Sequence, residues 1–325
     1  MPDVLLTGGS GFIGGALLRR LVAEGRNVRA LVRSDQAAAA VAAAGAETAR
    51  GDVTDPPSLA RAVAGCSVVY HAAGLNATCL RDPARLDRVN VAGTRNVVAA
   101  SAAAGVTRLV YTSSAAAIGS GSGVVGSEST PHRGWYLSRY ERSKHLAEVA
   151  ALSDAARLGL PLVAVGPSSV QGPGRTAGTA RLFIAYLRGD LRFAVPATFS
   201  LVSIDDTVTA HLLAERAGVA GERYLVSGWT TTTRDAVAAL AAVCEVDHRV
   251  RYLPGWMISA AAGVVGAFGA VTRRHVVLCR EVARTLRHGH VFDGSRAERE
   301  LGLHYTPPEV WLAETVEWYR GQGLV

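Results

Sequence analysis

The stretch Asp3-Val4-Leu5-Leu6-Thr7-Gly8-Gly9-Ser10-Gly11-Phe12-Ile13-Gly14-Gly15-Ala16-Leu17-Leu18-Arg19-Arg20-Leu21 decides how this chain folds. Residues 3–7 read as a short buried strand, and the residues after Gly15 as an amphipathic helix. Between them Gly8, Gly11 and Gly14 recur at every third position, each with its own task. Gly8 permits a tight turn, Gly11 lets the backbone approach a pyrophosphate, and Gly14 lets the helix pack closely on the strand. The start of the helix then offers free N–H groups to phosphate oxygens. A glycine-rich surface loop would need neither the strand before nor the helix after. The context therefore predicts a dinucleotide cradle, with Thr7, Gly8, Gly11, Phe12, Ile13 and Gly14 as candidate contacts.

The next strand-like run, residues 27–34, separates two cofactors. A site for NAD usually places an acidic side chain here for the ribose 2′-hydroxyl, and a site for NADP places an arginine near the 2′-phosphate. No Asp or Glu occupies 28–34, and the run ends in Arg33-Ser34. Arg33, helped by Ser34, favours NADP(H) over NAD(H).

Of 34 Lys+Arg residues, one is a lysine, Lys144, in Tyr140-Glu141-Arg142-Ser143-Lys144. Elsewhere the chain meets its need for cations with arginine, so this position requires a compact ammonium rather than a planar guanidinium. A helix over 136–150 puts Tyr140 and Lys144 on one face, a turn apart. A phenol titrates near pH ~10, too high for acid–base work at neutral pH, and a fixed cation beside it brings it down.

With both motifs in place, the chain resembles the extended short-chain dehydrogenase/reductases of the NAD-dependent epimerase/dehydratase type. Within them it is most similar to the hopanoid-associated sugar epimerase and dihydroflavonol-reductase-like branch. Further runs carry the likeness nearly end to end. Gly51-Asp52-Val53-Thr54-Asp55 resembles the segment whose Asp contacts adenine. His71-Ala72-Ala73-Gly74 resembles the strand-end loop beside the cofactor. Residues 90–96 are similar to the helix bracing the central strands, and Tyr111-Thr112-Ser113-Ser114-Ala115 to the catalytic-serine strand. Pro167-Ser168-Ser169-Val170-Gln171-Gly172-Pro173-Gly174 looks like the loop flanking the nicotinamide, and residues 292–302 like the C-terminal signature. The resemblance thus adds Asp52, Val53, Ala72, Ala73, Gly74, Pro167 and Val170 to the cofactor contacts, together with Tyr140 and Lys144. It implies Ser114, Tyr140 and Lys144 as catalytic, with Ser113 the neighbouring hydroxyl on the opposite face of the strand. Two positions depart from the pattern: Gly166, where a larger polar residue is usual, and Ser203, where histidine is frequent.

Length and composition agree with one large or two small domains. Alternating strand and helix patterns through residue 170 predict an α/β fold, a Rossmann-type doubly wound parallel sheet. The expected division is a dinucleotide domain over 1–173 with return segments near 200–227. A smaller, mostly helical substrate lobe takes 174–199 and 228–325. The four cysteines, Cys66, Cys79, Cys244 and Cys279, are far apart, which predicts neither a zinc site nor a disulfide framework and suits a reducing cytoplasm. No signal peptide is read at the N-terminus. His288 and His290 are too isolated to predict a metal. The net charge of +7 comes from scattered arginines, so nucleic acid is not expected. Residues 256–271 are apolar but short of the roughly 20 that span a bilayer. They read as a substrate-lobe helix whose glycines 263, 266 and 269 pack closely, with interfacial attachment a lesser alternative.

The chemistry expected is hydride exchange at a carbonyl or carbinol carbon, with Tyr140 as acid, Ser114 bonding the substrate oxygen and Lys144 tuning the phenol. Three readings compete. An NADPH-dependent ketone or aldehyde reductase is favoured by Arg33 and by Ala115-Ala116, where dehydratases of the family usually carry Asp-Glu. A sugar or sugar-nucleotide epimerase with a retained cofactor is the alternative, with Arg175, Arg181, Arg188 and Arg192 able to clamp a diphosphate. A non-catalytic cofactor-binding protein is the third. Trp135, Tyr136, Tyr186, Phe193 and Phe199 are candidate substrate contacts. The glycines of loop 115–138 suggest a segment that orders on binding. A small-molecule substrate is the expected partner. The resemblance also implies a homodimer through helices 90–104 and 136–152.

Overall fold

Alternate residues of the first strand bury toward opposite sides, and the whole molecule is layered on that alternation. The computed structural model describes residues 2–272 and 278–325, leaving aside the side-chain surroundings of 266–271. Seven strands form one parallel sheet: β1 (Val4–Thr7), β2 (Val28–Val32), β3 (Glu47–Arg50), β4 (Val68–His71), β5 (Arg108–Thr112), β6 (Leu162–Pro167) and β7 (Arg223–Val226). Their spatial order is β7-β6-β5-β4-β1-β2-β3. The chain winds outward twice from a switch between β1 and β4, which is where open α/β sheets bind ligands at their carboxyl ends. This is the doubly wound architecture expected.

Val4 and Leu6 join one core with Leu17, Leu18 and Leu21 of helix Phe12–Ala23 and with Val208 and Leu212 of helix Ile204–Ala217. Leu5 joins the opposite core, with Val97 and Val98 of helix Gly93–Ala103 and Ala147 and Ala151 of helix Arg139–Leu158. A third core unites helices Ala180–Leu187, Thr233–Cys244 and Pro308–Gly321 around Phe183, Leu240 and Trp311. Tyr186 and Phe199 belong to it, so these two candidate substrate contacts are packing residues, whereas Phe193 is exposed. Ser203, at the position where histidine is frequent, caps helix Ile204–Ala217 by accepting the Asp206 N–H at 2.9 Å. Segment 115–138 carries a short 3-10 turn, Ala115–Ile118, and a strand, Val125–Gly126, paired with Val291–Phe292.

One expectation is overturned. Cys79 and Cys279, 200 residues apart, form a disulfide with their Cα atoms 5.9 Å apart, while Cys66 and Cys244 are free and buried. Spacing rules recognise ligands close in sequence, and this pair is brought together by the fold. Cysteine usage therefore gives no support to a reducing compartment. The apolar segment forms helix Gly255–Thr272. Its Gly263 does not serve close packing, since a Cβ there would meet nothing within 4 Å; Gly266 and Gly269 lie outside the residues whose surroundings are described. No described helix is long and apolar enough to cross a membrane.

Two buried histidines brace the sheet. His71 joins Thr7 to Thr94, and His211 bonds Thr112 Oγ1 at 2.8 Å and the Thr207 carbonyl at 2.7 Å. Burial pushes His71 down to about 3, with the Lys144 ammonium adding to the shift, and burial pushes His211 down to about 4. Both are neutral when folded and take up protons near pH ~6.5 when unfolded. Their contribution to stability is thus present above that value and is lost as pH falls toward the folded values. The slope is on the order of 1.4 kcal/mol per pH unit for each group. Urea midpoints should decline steadily from pH 7 to pH 4.5, and replacing His211 with Gln should flatten the decline. An equally steep decline in that variant would contradict the assignment.

Candidate active site

The cradle forms because Gly8 and Gly14 leave no room for a Cβ and Gly11 leaves little. Gly8 has φ +80°, and a Cβ on it would lie 2.7 Å from the Ala72 carbonyl carbon and the Ala73 nitrogen. On Gly14 a Cβ would lie 2.1 Å from the Gly8 carbonyl oxygen, and on Gly11 it would lie 3.2 Å from the same oxygen. Gly8 thus seats the turn against the strand end at Ala72-Ala73-Gly74. Gly11 caps helix Phe12–Ala23 with no side-chain hydrogen bond and no acidic residue in the first turn. The first-turn N–H groups, Phe12 and Ile13 among them, therefore point into an open, electropositive cradle suited to a pyrophosphate.

At the other end of the cradle, Arg33 is largely exposed beyond β2, with its guanidinium 3.7 Å from the Asp52 carboxylate. Ser34 caps the following helix, accepting the Ala37 N–H at 3.2 Å. Asp52 also accepts from the Thr54 N–H and hydroxyl, each at 2.8 Å. Val53 and Val170 are both buried, Val53 lying against Gly93 and Val170 on a short strand paired with Val202. Pro167 ends β6.

A polar row crosses the carboxyl edge of the sheet. Thr7 pairs with His71, and His71 with Tyr111, at the same level of adjacent strands. The Ala73 N–H donates to Thr7 Oγ1 (3.2 Å), and Thr7 Oγ1 lies 2.7 Å from His71 Nδ1. His71 Nε2 is 3.0 Å from Thr94 Oγ1, which itself donates to the Asn90 carbonyl at 2.6 Å. Thr94 must therefore accept from Nε2–H, and Nδ1 must accept from Thr7. Asn90 sits on a π-helical turn, Asp87–Ala92. Its amide accepts the Leu75 N–H (2.7 Å) and donates to the Leu75 carbonyl (3.1 Å) and to Ser143 Oγ (2.9 Å). Ser143 in turn donates to the Tyr140 carbonyl at 2.8 Å. The resemblance pointed to Asn90 only as a brace, and Thr94, Ser143 and the role of His71 were not read from the sequence.

Ser138 starts the helix that carries Tyr140, accepting the Glu141 N–H at 3.1 Å, and the Glu141 carboxylate takes the Leu137 N–H. Tyr140, Lys144 and Glu148 follow at four-residue spacing on one face. Lys144 is buried and donates to the Thr112 carbonyl at 2.9 Å and to the Tyr111 hydroxyl at 3.3 Å. Burial pushes its ammonium down to about 8, with Glu148 opposing. Burial also pushes the Tyr140 phenol up, and the groups that pull it back are the Ser114 hydroxyl, by a hydrogen bond, and the Arg175 guanidinium. The Lys144 ammonium, one turn along, is engaged by Thr112 and Tyr111. Ser114 caps the 3-10 turn, its hydroxyl accepting the Ala116 N–H at 3.3 Å. Ser113 is buried, and its Oγ has no hydrogen-bond partner among the described residues. Gly166 lies beneath Ser114, where a Cβ would sit 3.5 Å from the Ser114 carbonyl carbon.

The four arginines expected as a clamp do not act together. Arg181, Arg188 and Arg192 are exposed on or just after helix Ala180–Leu187. Arg175 turns inward, its guanidinium 5.4 Å from the centre of the Phe12 ring, and its buried Nε has no partner among the described residues. The sequence offered it only as a phosphate clamp.

The model of the NAD dependent epimerase/dehydratase family matches residues 4–227. The chain belongs to this family. It is 31% identical over 331 residues to sterol demethylase protein B of Methylococcus capsulatus, covering 99% of each. It is 31% identical over 329 residues to a Synechocystis protein named as a dihydroflavonol 4-reductase, covering 98% and 95%. Identity to the 2-alkyl-3-oxoalkanoate reductase of Stenotrophomonas maltophilia is 33%, with 94% of each covered. Among solved structures, the dTDP-glucose 4,6-dehydratase DesIV of Streptomyces venezuelae, with NAD and TYD bound, is similar at a TM-score of 0.79 and 25% identity, covering 98% and 97%. As a family member the chain is an NAD(P)-dependent enzyme with an extended short-chain dehydrogenase/reductase fold.

The smallest possible addition to the cradle tests its reading. Gly14→Ala should weaken NAD(P)H binding by at least about 100-fold in fluorescence titration, because its methyl group meets the Gly8 carbonyl that shapes the turn. Binding within threefold of the parent would contradict the cradle.

Proposed function

We propose that this enzyme is an NADPH-preferring reductase of ketones or aldehydes. The observation that carries the reading is that Tyr140 and Lys144 stand one turn apart on helix Arg139–Leu158, with the Lys144 ammonium held on the Thr112 carbonyl, two residues before Ser114. A protonated phenol is the correct starting state for giving a proton to a carbonyl oxygen. The relatives named as reductases of dihydroflavonols and 3-oxoalkanoates support the same direction. The epimerase reading needs a grip on a sugar nucleotide, and its four candidate arginines do not converge: Arg181, Arg188 and Arg192 are exposed, with Arg188 on the Leu324 carbonyl, while Arg175 turns inward.

The glycine cradle would hold the cofactor's pyrophosphate, Asp52 the adenosine end and Arg33 the 2′-phosphate. When bound, the nicotinamide supplies the hydride that goes to the carbonyl carbon. Ser114 bonds the carbonyl oxygen and so orients it toward Tyr140. Tyr140 transfers its proton to that oxygen as negative charge develops there, completing the alcohol. The Arg175 guanidinium stabilises the phenolate left behind. Lys144 spends two of its three N–H donors on Thr112 and Tyr111, which leaves one for the nicotinamide ribose. A homodimer through helices Gly93–Ala103 and Arg139–Leu158 belongs to the same proposal; Val149 on the second is 52% exposed.

Removing the phenol hydroxyl separates catalysis from binding. Tyr140→Phe should lower kcat by about 10²–10⁴-fold while the NADPH Kd stays within threefold. Undiminished turnover would remove Tyr140 from the mechanism. In the same titrations, Arg33→Ala should weaken NADPH about tenfold and leave NADH nearly unchanged; equal losses for both would contradict the NADPH preference.

A further inference from the structure

A cavity of about 410 Å³ lies outside the catalytic groups, between segment 77–86, helix Gly255–Thr272 and the start of helix Arg280–His288. Its walls are mostly apolar, with Ala77, Leu80 and Leu86 on one side and Ala262 and Gly263 on the other. Arg139, Arg280 and Glu281 form its charged margin. The Cys79–Cys279 bridge is itself part of the wall and joins the two sides.

The cavity borders the first turn of the catalytic helix at Arg139. Arg139 precedes Tyr140 in the chain, and its backbone N–H donates to Glu281 Oε1 at 3.1 Å. On the other side Asp87 pairs with Arg142, one turn along the same helix, at 2.9 Å. Both walls are therefore fastened to the first turns of the helix that presents Tyr140. The volume lies within the range of small-molecule sites, roughly 300–1,000 Å³. Away from the charged margin of Arg139, Arg280 and Glu281, the lining of Ala, Leu and Gly offers dispersion contacts and no hydrogen bonds to a sugar or a nucleotide base.

We propose that this cavity is the subsite for the hydrocarbon part of the ketone substrate, and that the Cys79–Cys279 bridge holds its two walls at the spacing an alkyl chain or fused ring requires. The inference rests on the reductase reading and names its substrate class: amphiphilic ketones with the carbonyl at one end of an extended apolar skeleton. The walls come from segments 200 residues apart, so cutting the bridge lets them separate and admits water.

Straight-chain methyl ketones from 2-butanone to 2-tridecanone serve as probes in NADPH oxidation. In the parent enzyme kcat/KM should rise by about fourfold per added methylene until the cavity is filled. Gly263→Phe projects a ring into the open space that a Cβ at that position meets, so the helix itself is not disturbed. It should cut the ratio of kcat/KM for long over short ketones at least tenfold. The double variant Cys79→Ser/Cys279→Ser should lower the same ratio severalfold, mainly through KM. No chain-length dependence in the parent, or an unchanged ratio in Gly263→Phe, overturns the subsite; an unchanged ratio in the serine pair overturns the bridge's part in it. Calorimetric binding of 2-undecanone against 2-pentanone to the NADPH-loaded protein keeps the two readings apart. If no ketone is turned over yet the longer one binds at least tenfold tighter in the parent and not in Gly263→Phe, the reductase reading fails and the hydrocarbon subsite stands.

Discussion

A neutral histidine at the centre of the sheet sets the geometry on which the remainder of the site depends. His71 lies level with Thr7 on one side and Tyr111 on the other, and its two ring nitrogens have opposite duties. Nδ1 accepts from Thr7, whose oxygen is already occupied by the Ala73 N–H, and Nε2 donates to Thr94, whose proton is committed to the Asn90 carbonyl. Every donor in that row has an acceptor. A second proton on the ring would meet the Thr7 hydroxyl proton in a buried place. Leaving a buried polar group unpaired costs about 1–3 kcal/mol, so the row is held in one arrangement rather than several.

That row has two ends, and each fixes one half of the chemistry. At one end Thr7 and Ala73 seat the Gly8 turn, and with it the helix start that faces a pyrophosphate. At the other, Asn90 and Ser143 hold the Tyr140 carbonyl, and with it the first turns of the helix that presents the phenol. Lys144 sits between them, over the Tyr111 ring at 5.0 Å and on the Thr112 carbonyl. This explains why the chain departs from arginine at a single position. A compact ammonium can lie between a ring and a carbonyl in a buried niche and keep a donor to spare, whereas a planar guanidinium needs partners for five donors.

What could be read from the sequence is what local sterics and spacing encode. The three glycines were legible because each sits at a fixed, crowded point of a strand–turn–helix unit, two of them where a Cβ is excluded. Tyr140 and Lys144 were legible because four residues make one helical turn. Arg33 was legible as the residue just past β2, in a run, 28–34, that holds no Asp or Glu. What escaped depends on contacts between distant segments. Nothing around Cys79 or Cys279 marks them as partners, because the loop after β4 and the helix beginning at Arg280 meet only in the folded chain. That Lys144 rests on the Thr112 carbonyl was not legible, since that carbonyl belongs to β5, 32 residues away. Arg175 looked like one of four equivalent surface arginines until the fold turned it alone toward Phe12 and Tyr140. Tyr186 and Phe199 looked like substrate contacts because an aromatic side chain serves a core and a pocket equally well.

The coupling of cofactor cradle to catalytic helix through the buried row is tested most directly by a double-mutant cycle on kcat. Thr94→Val and Ser143→Ala each break the row at a different link, without touching substrate or cofactor. If the row acts as one unit, either change alone removes most of the effect, and the pair shows a coupling energy of about 1 kcal/mol or more. Effects that simply add, within about 0.3–0.5 kcal/mol, would mean the two links act independently and would contradict the account.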